Sequence, residues 1–237
     1  MAEEFEGDLS GSVFWGADLS GSRFRDVNLT DVTISHAWVV NVDIDALVDH
    51  VTINGVDVTD YVNERDPWFP LRGQIRAKDP EGMREAWQAL EQEWQTTIGR
   101  ARELSDAQRN ESIGGEWSFL QTLRHLVFAI DKWFILPILG EKAFWPAGMP
   151  NSGSVDFGWP GFDRDADATF DEVLAVRAER AARFRDYLDR VTPADLVVDV
   201  EVLENGTVPV KECVYTVLEE EFWHLRYARR DLAKLEE

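Results

Sequence analysis

The chain has 237 residues, and its 45 acidic side chains outnumber the 24 basic ones to give a formal net charge of -21. This balance excludes binding to nucleic-acid phosphates or anionic lipid through a basic surface, because both need clustered Lys and Arg. A hydrophobic fraction of 44% with ten Trp excludes a disordered acidic chain, and a single Cys excludes an intrachain disulfide and a zinc cluster built from Cys alone.

The first six residues include three glutamates, whereas a secretory signal begins basic and continues apolar. Further along, the most apolar stretch, Leu126 to Leu139, is interrupted by Asp131, Lys132 and Pro137. It falls short of the roughly 18 apolar residues that a membrane span needs. We therefore expect a cytoplasmic protein with neither a nucleic-acid nor a membrane partner.

Residues 5–46 carry an apolar side chain at every fifth position, in an unbroken series. Two residues before each member of the series, the side chain is small or β-branched. A helix favours a period near 3.6 and a strand a period of two, so a period of five predicts a coil that turns a corner at each pentad. The apolar positions, predicted to point inward, are Leu9, Phe14, Leu19, Phe24, Leu29, Ile34, Val39 and Ile44.

The segment Ala17-Asp18-Leu19-Ser20-Gly21 matches the pattern Ala-Asp/Asn-Leu-X-X, so this region resembles the pentapeptide-repeat family. The resemblance implies a right-handed quadrilateral β-helix, here of about two coils. We assign residues 1–62 to it, including two short strands about Asn54-Gly55. Some family members imitate DNA with an acidic surface, and residues 1–62 hold 12 acidic and 2 basic residues. The alternative is that so short a solenoid caps its neighbour.

Residues 63–79 contain Pro and Gly without a helical period and are predicted to be a linker. Residues 80–237 predict four helices with apolar residues three and four apart: about 80–104, about 118–139, a third from Thr169, and about 211–235. Alternating residues around Glu204-Asn205-Gly206 predict a β-hairpin between helices three and four. The predicted fold class is therefore multidomain α+β, with the β-helix followed by an antiparallel four-helix bundle.

The long connection Glu141–Ala168 is rich in aromatic residues, which favours a loop that folds back over the bundle and covers a mouth. Cys213 on helix four is predicted to fill the core, because a lone buried Cys is more often packing than nucleophile.

Two of the four His, His36 and His50, lie in or beside the pentads and are predicted to be surface residues. His125 lies on helix two and His224 on helix four. Both Glu220 and Glu221 can share a helix face with His224, at spacings of four and three. Glu221 falls in the middle of the apolar stripe of helix four, where a carboxylate is costly unless it is paired or coordinates a cation. It is therefore the more informative of the two.

Two motifs resemble helices two and four of the DinB-like four-helix-bundle superfamily: Ile113–Ser118 with Thr122–Ala129, and Glu221 with Arg226-Tyr227-Ala228. The likeness covers about residues 80–237. It implies a divalent metal bound by one His of helix two and by a His-x-x-x-His pair of helix four just before an Arg. Some members are thiol-S-transferases that use a low-molecular-weight thiol such as mycothiol or bacillithiol.

Carried over to this chain, the resemblance matches His125 to the first ligand, and anchoring on Arg226 places the pair at Glu221 and Leu225. Leu cannot ligate a metal, whereas Glu can replace His at a zinc or nickel site. The predicted metal ligands are therefore His125, Glu221 and His224. The alternative is that His125 faces solvent or the aromatic loop, and that Arg124, Arg226 or a buried water satisfies Glu221.

Two functions follow from these patterns. The first is a DinB-like protein with a degenerate divalent-metal site, related to metal-dependent thiol-S-transferases, whose partner is a small-molecule thiol or electrophile. The second is a non-catalytic interaction protein whose acidic repeat surface binds a partner or forms a homodimer. The sequence identifies no substrate.

Overall fold

The computed structural model describes residues 4–24, 27–142, 144–151, 159, 161–163 and 165–236. The chain divides into two compact units, Met1–Asp45 and Ala46–Glu237. The hairpin about Asn54-Gly55 and the segment 63–79 thus belong to the second unit, whereas the sequence predicts the hairpin within the repeat domain and a linker over 63–79.

The first unit turns at a regular interval of five residues. Positive φ angles, which Gly, Asn, Asp and His adopt more readily than other residues, recur at Gly11, Gly16, Gly21, Asp31, His36 and Asn41. Backbone hydrogen bonds close turns ten residues apart, from the Ser12 N–H to the Leu9 carbonyl and from the Ser22 N–H to the Leu19 carbonyl. The period of five in the sequence is therefore a period of chain reversals.

The apolar side chains of this unit remain largely exposed, among them Phe14 and Ile34, which were predicted to point inward. The prediction fails for the described residues because a solenoid buries its interior by stacking repeats, and so few coils offer little surface to stack on. Residues 4–24 and 27–51 contain no strand. The quadrilateral β-helix accordingly stays a prediction.

The second unit begins with a small hairpin and two short helices. Strands β1 (Thr52–Ile53) and β2 (Val56–Asp57) pair antiparallel, as the Asn-Gly turn between them predicts. Helices α1 (Thr59–Asn63) and α2 (Leu71–Gln74) follow. Residue Ile75 is part of the main core, and the Tyr215 hydroxyl donates to the Ala77 carbonyl at 3.1 Å. Residues 66–77 are therefore packed on the helical unit.

The long helices begin at capped positions. Helix α3 (Pro80–Arg102) starts after Asp79, whose carboxylate accepts from the Gly82 N–H, and α4 (Asp106–Arg109) is a single turn. Helix α5 (Phe119–Ile130) starts after a capping box of Ser118 and Gln121. It continues as a π-helical segment over Asp131–Ile135.

The remaining elements are two helices with a hairpin between them. Helix α6 (Phe170–Leu188) starts after a capping box of Thr169 and Glu172, at the position where the third helix was predicted to begin. Strands β3 (Asp199–Glu201) and β4 (Thr207–Pro209) pair antiparallel, flanked by 3-10 turns at Asp195–Val197 and Leu203–Asn205. Helix α7 (Val210–Leu235) closes the described chain. The hairpin predicted between helices three and four is thus present.

Helices α3, α5, α6 and α7 share one hydrophobic core. At its centre the Phe184 ring meets Trp87 and Phe134, with ring centroids 4.7 and 5.0 Å apart. A smaller apolar cluster joins Phe128 of α5 to Phe144 and Trp159 from the aromatic connection, so the described part of that connection packs against α5 as predicted. Over the described residues, no helix has the length and apolar character to cross a membrane.

Candidate metal centre

Helix α5 carries His125 into the interior, where the residue is 2% exposed. Its Nδ1 lies 2.8 Å from the Met149 backbone carbonyl. A carbonyl oxygen only accepts, so Nδ1 carries the proton and donates. In a neutral imidazole the other nitrogen, Nε2, then has a free lone pair. Nε2 lies 3.1 Å from Oε2 of Glu220.

Helix α7 supplies the other two groups, Glu220 and His224, four residues apart on one face. The His224 Nδ1 donates to the Glu220 backbone carbonyl at 2.8 Å and lies 3.2 Å from its Oε2. This leaves Nε2 of a neutral His224 unprotonated, as at His125. One donor atom from each of His125, Glu220 and His224 falls in a cluster whose members all lie within 4.8 Å of one another.

The charges in this cluster are coupled. Burial raises the pKa of the Glu220 carboxyl, but hydrogen bonds and attraction from the protonated forms of His125 and His224 outweigh burial and hold it well below its usual range. Burial lowers the pKa of His224, yet its hydrogen bond and attraction to Glu220 raise it above the ordinary value. Glu220 is therefore an ionised carboxylate at neutral pH, lying between two imidazoles.

Aromatic rings line the same place. The Trp117 ring lies 4.6 Å from His125 and 5.9 Å from His224, centroid to centroid, and is nearly parallel to the latter. Tyr227 meets His224 edge-on at 6.0 Å. An ion pair between Glu116 and Arg230 ties the residue before Trp117 to α7. The two imidazoles thus have an apolar wall, which limits access of water.

The aromatic connection is anchored on the helix that carries His125. The Arg124 Nε donates to the Ala147 carbonyl at 2.7 Å, and the Met149 N–H donates to the Arg124 carbonyl at 3.2 Å. Between these anchors Gly148 lies so close to α5 that an added Cβ would stand 3.3 Å from the Phe128 Cβ and 3.2 Å from the Trp145 carbonyl. This close approach places the Met149 carbonyl on His125.

We expect Gly148→Ala to destabilise the protein by about 1–3 kcal/mol, because the extra methyl overpacks this contact. The matched control is Gly99→Ala in the last turn of α3, where an added Cβ meets nothing within 4 Å. That substitution should stabilise by about 0.5–1 kcal/mol, since Ala is the better helix former. Urea unfolding of both variants measures the difference. A Gly148→Ala protein as stable as the wild type would contradict the close packing.

Glu221, the carboxylate predicted to ligate the metal, faces elsewhere. Both of its oxygens accept from Arg177 of α6, at 3.1 and 2.9 Å. Its burial was foreseen from the apolar stripe of helix four, but its cationic partner was not. The sequence contained a signal for this partner, because Arg177 follows Val173 by four residues and so lies on the same buried face of α6. The structure therefore brings His125 and His224 together with Glu220, and pairs Glu221 with Arg177 instead.

The other candidate residues lie apart from this cluster. His36 and His50 are exposed, as predicted for surface residues. Cys213 is fully buried, and burial raises the pKa of its thiol to about 12. It fills the core.

We expect Cys213 to resist a thiol reagent in the folded protein at about pH 8 and to react stoichiometrically in urea. Raising the pKa from 9.0 to about 12 cuts the reactive thiolate by on the order of a thousandfold. A colorimetric thiol titration measures both states. Rapid labelling of the folded chain would contradict the burial.

The comparisons with known proteins agree with both resemblances. Residues 89–228 match the family model of the DinB superfamily, and residues 8–44 match eight copies of the pentapeptide repeats. The first match spans more than half of the chain, so the protein belongs to the DinB superfamily and carries pentapeptide repeats ahead of its DinB domain. No curated protein and no solved structure shows significant similarity to it.

Proposed function

We propose that His125, Glu220 and His224 hold a divalent metal ion, zinc or nickel, in a DinB-type antiparallel four-helix bundle that follows a short pentapeptide β-helix. One observation carries the proposal: three donor atoms cluster within 4.8 Å, and both Nδ1 atoms donate to backbone carbonyls. Metal-binding imidazoles commonly have this second hydrogen bond, which fixes the ring and leaves Nε2 for the ion.

The donor set fits these metals. Two neutral imidazoles and one carboxylate are ligands that zinc and nickel both accept. Relative to the three-His arrangement that the family resemblance implies, Glu220 and His224 form the i,i+4 pair of helix four, with Glu in place of the first His. Three protein ligands leave a position open, and a 2+ ion with one carboxylate leaves a net positive charge that suits an anionic ligand.

We propose thiol transfer as the activity, with a low-molecular-weight thiol such as mycothiol as the donor and a small electrophile as the acceptor. A divalent ion held by these residues would supply Lewis acidity that lowers the pKa of a thiol. Cys213 is buried with a raised pKa, so the thiol must come from solution. Such a thiol belongs to a reducing cytoplasm. Trp117 and Tyr227 would shield a bound thiol from water, and the Met149 carbonyl holds His125 in the tautomer protonated at Nδ1.

Elemental analysis of untagged protein tests the metal. We expect about one zinc or nickel per chain, lost in His125→Ala, Glu220→Gln and His224→Ala and kept in His50→Ala, which removes an exposed imidazole. Absence of bound metal after incubation of the wild type with both ions would contradict the proposed metal centre. If metal binds, consumption of a low-molecular-weight thiol with a panel of electrophiles tests the transfer itself.

We propose a second function for the repeat unit, the binding of a partner with a basic surface. The favouring observation is that Trp15 and Trp38 are 93% and 97% exposed on a unit rich in acid. Exposed aromatic rings beside carboxylates suit a contact that is both apolar and ionic.

We expect the protein to be retained on an immobilised oligo-lysine peptide. High salt should abolish this retention, and the Trp15→Ala/Trp38→Ala variant should be retained more weakly. A chain that passes unretained at low salt would contradict this, and self-association in sedimentation would replace the partner with a homodimer.

A further inference from the structure

Glu220 and Glu221 are neighbouring carboxylates, and successive side chains on a helix point about 100° apart. Only one of them can therefore face His125 at a time. We propose, on the basis of the metal centre proposed above, that Arg177 is a positioning residue. It holds Glu221 away from the two imidazoles and sets the rotation of α7 so that Glu220 faces them.

The first support is the geometry of the pair. The two terminal nitrogens of Arg177 each donate to one oxygen of Glu221, at 3.1 and 2.9 Å. Arg177 is 9% exposed and Glu221 is 1% exposed. A planar fork bound through two parallel hydrogen bonds fixes the orientation of the carboxylate as well as its distance, which a Lys in the same place could not do.

The second support comes from α3. The Trp94 Nε1–H donates to the Glu221 backbone carbonyl at 3.2 Å. The guanidinium of Arg177 lies over the Trp94 ring, 4.8 Å from its centroid. Residue 221 is thus held through its side chain by α6 and through its backbone by α3. These contacts leave α7 little freedom to rotate at this turn.

The consequence reaches the metal cluster through the helix itself. Glu220 precedes the clamped residue, and His224 follows it by less than one turn. A metal centre tolerates errors of only about 10–20° in the direction of its ligands. Without Arg177, a buried Glu221 would be an uncompensated carboxylate beside a cation site, where it would compete with Glu220 for the metal. Arg177 therefore selects which carboxylate becomes the ligand.

Titration with Co²⁺ tests this, because the visible absorption of bound Co²⁺ reports the ligand geometry as well as the affinity. In Arg177→Met/Glu221→Leu no charge is left unpaired, so the chain should fold. We expect Co²⁺ affinity to fall about 10- to 100-fold, with an altered spectrum. Arg177→Lys should lose less, since it keeps the charge. Arg177→Met should give a third spectrum, because Glu221 is then free to bind the ion.

The matched control is Arg185→Met, which removes another bidentate Arg–Glu contact from α6, to Glu91 of α3, at 3.0 and 2.7 Å. We expect its Co²⁺ affinity and spectrum to match the wild type. A double variant at positions 177 and 221 with unchanged affinity and spectrum would overturn the positioning role alone. A wild type that binds no Co²⁺ would overturn the proposed metal centre itself.

Discussion

Zinc is expected to add little to the free energy of unfolding at about pH 5.5. At about pH 8, and at a concentration about a thousandfold above its dissociation constant, it should add about 4 kcal/mol. The reason is that zinc and protons compete for the same imidazole nitrogens. The metal-free cluster, in contrast, should be at its most stabilising on the acidic side of neutrality.

The sign for the metal-free cluster follows from its two shifted groups. The pKa of His224 is raised above its ordinary value of 6.5, so its stabilisation is complete below that value and is lost as pH rises through the folded pKa. The pKa of Glu220 is lowered from 4.5, so its stabilisation is present above that value and is lost as pH falls through the folded pKa. The pairing therefore contributes most between pH 4.5 and 6.5.

Urea unfolding of wild type and Glu220→Gln, with a chelator and with zinc, measures both trends. In chelator, the stability difference between the two proteins should be largest at about pH 5.5 and shrink towards pH 8, as His224 loses its proton. In zinc, the difference should grow with pH, because only the wild type keeps three ligands. A zinc effect of equal size at both pH values would contradict a site built on imidazole.

The starts of the long helices could be predicted because their causes are local. Three helices start after a capping residue, namely Asp79, Ser118 or Thr169, whose side chain accepts a hydrogen bond from the backbone N–H three residues further along. A local sequence pattern therefore contains everything that is needed to predict where these helices start. The same holds for the hairpin turn at Asn54-Gly55.

Tertiary contacts determine the two features of the fold that the sequence does not predict. The predicted second helix becomes π-helical at Asp131, whose buried carboxylate binds Arg180 at 2.6 Å and the Trp145 N–H at 2.7 Å, both distant in sequence. The segment 66–77 lacks a helical period, yet Ile75 is part of the core. A periodic pattern shows that a residue is buried, but not against what.

The candidate site shows the same division. The helical spacing of Glu220, Glu221 and His224 made both carboxylates candidates, and the apolar stripe correctly placed Glu221 in the interior. In the interior Glu221 pairs with Arg177. A residue on another helix therefore determines which of the two neighbouring glutamates faces the imidazoles. Spacing along a single helix could not show that.

Arg177→Met is expected to destabilise the metal-free protein by about 3–5 kcal/mol, the usual cost of leaving one member of a buried ion pair without its partner. Glu221 is 1% exposed, so water can replace little of what Arg177 supplies. Glu221→Gln should cost less, because the amide can still accept one hydrogen bond from the guanidinium, which also keeps its contact with the Trp94 ring.

Arg177→Met/Glu221→Leu should recover most of that loss and unfold within about 1 kcal/mol of the wild type, or at higher urea, since apolar residues of similar volume replace a buried pair at little cost. Urea unfolding in chelator measures all three variants without interference from metal. The double variant then separates two roles of one ion pair. If the double variant regains stability but not metal affinity, the ion pair orients α7 for the ligands, and apolar packing can replace its contribution to the free energy of unfolding. If the single and double variants are equally destabilised, the pair and its neighbours Trp94 and Val173 form a packing unit that apolar side chains cannot replace.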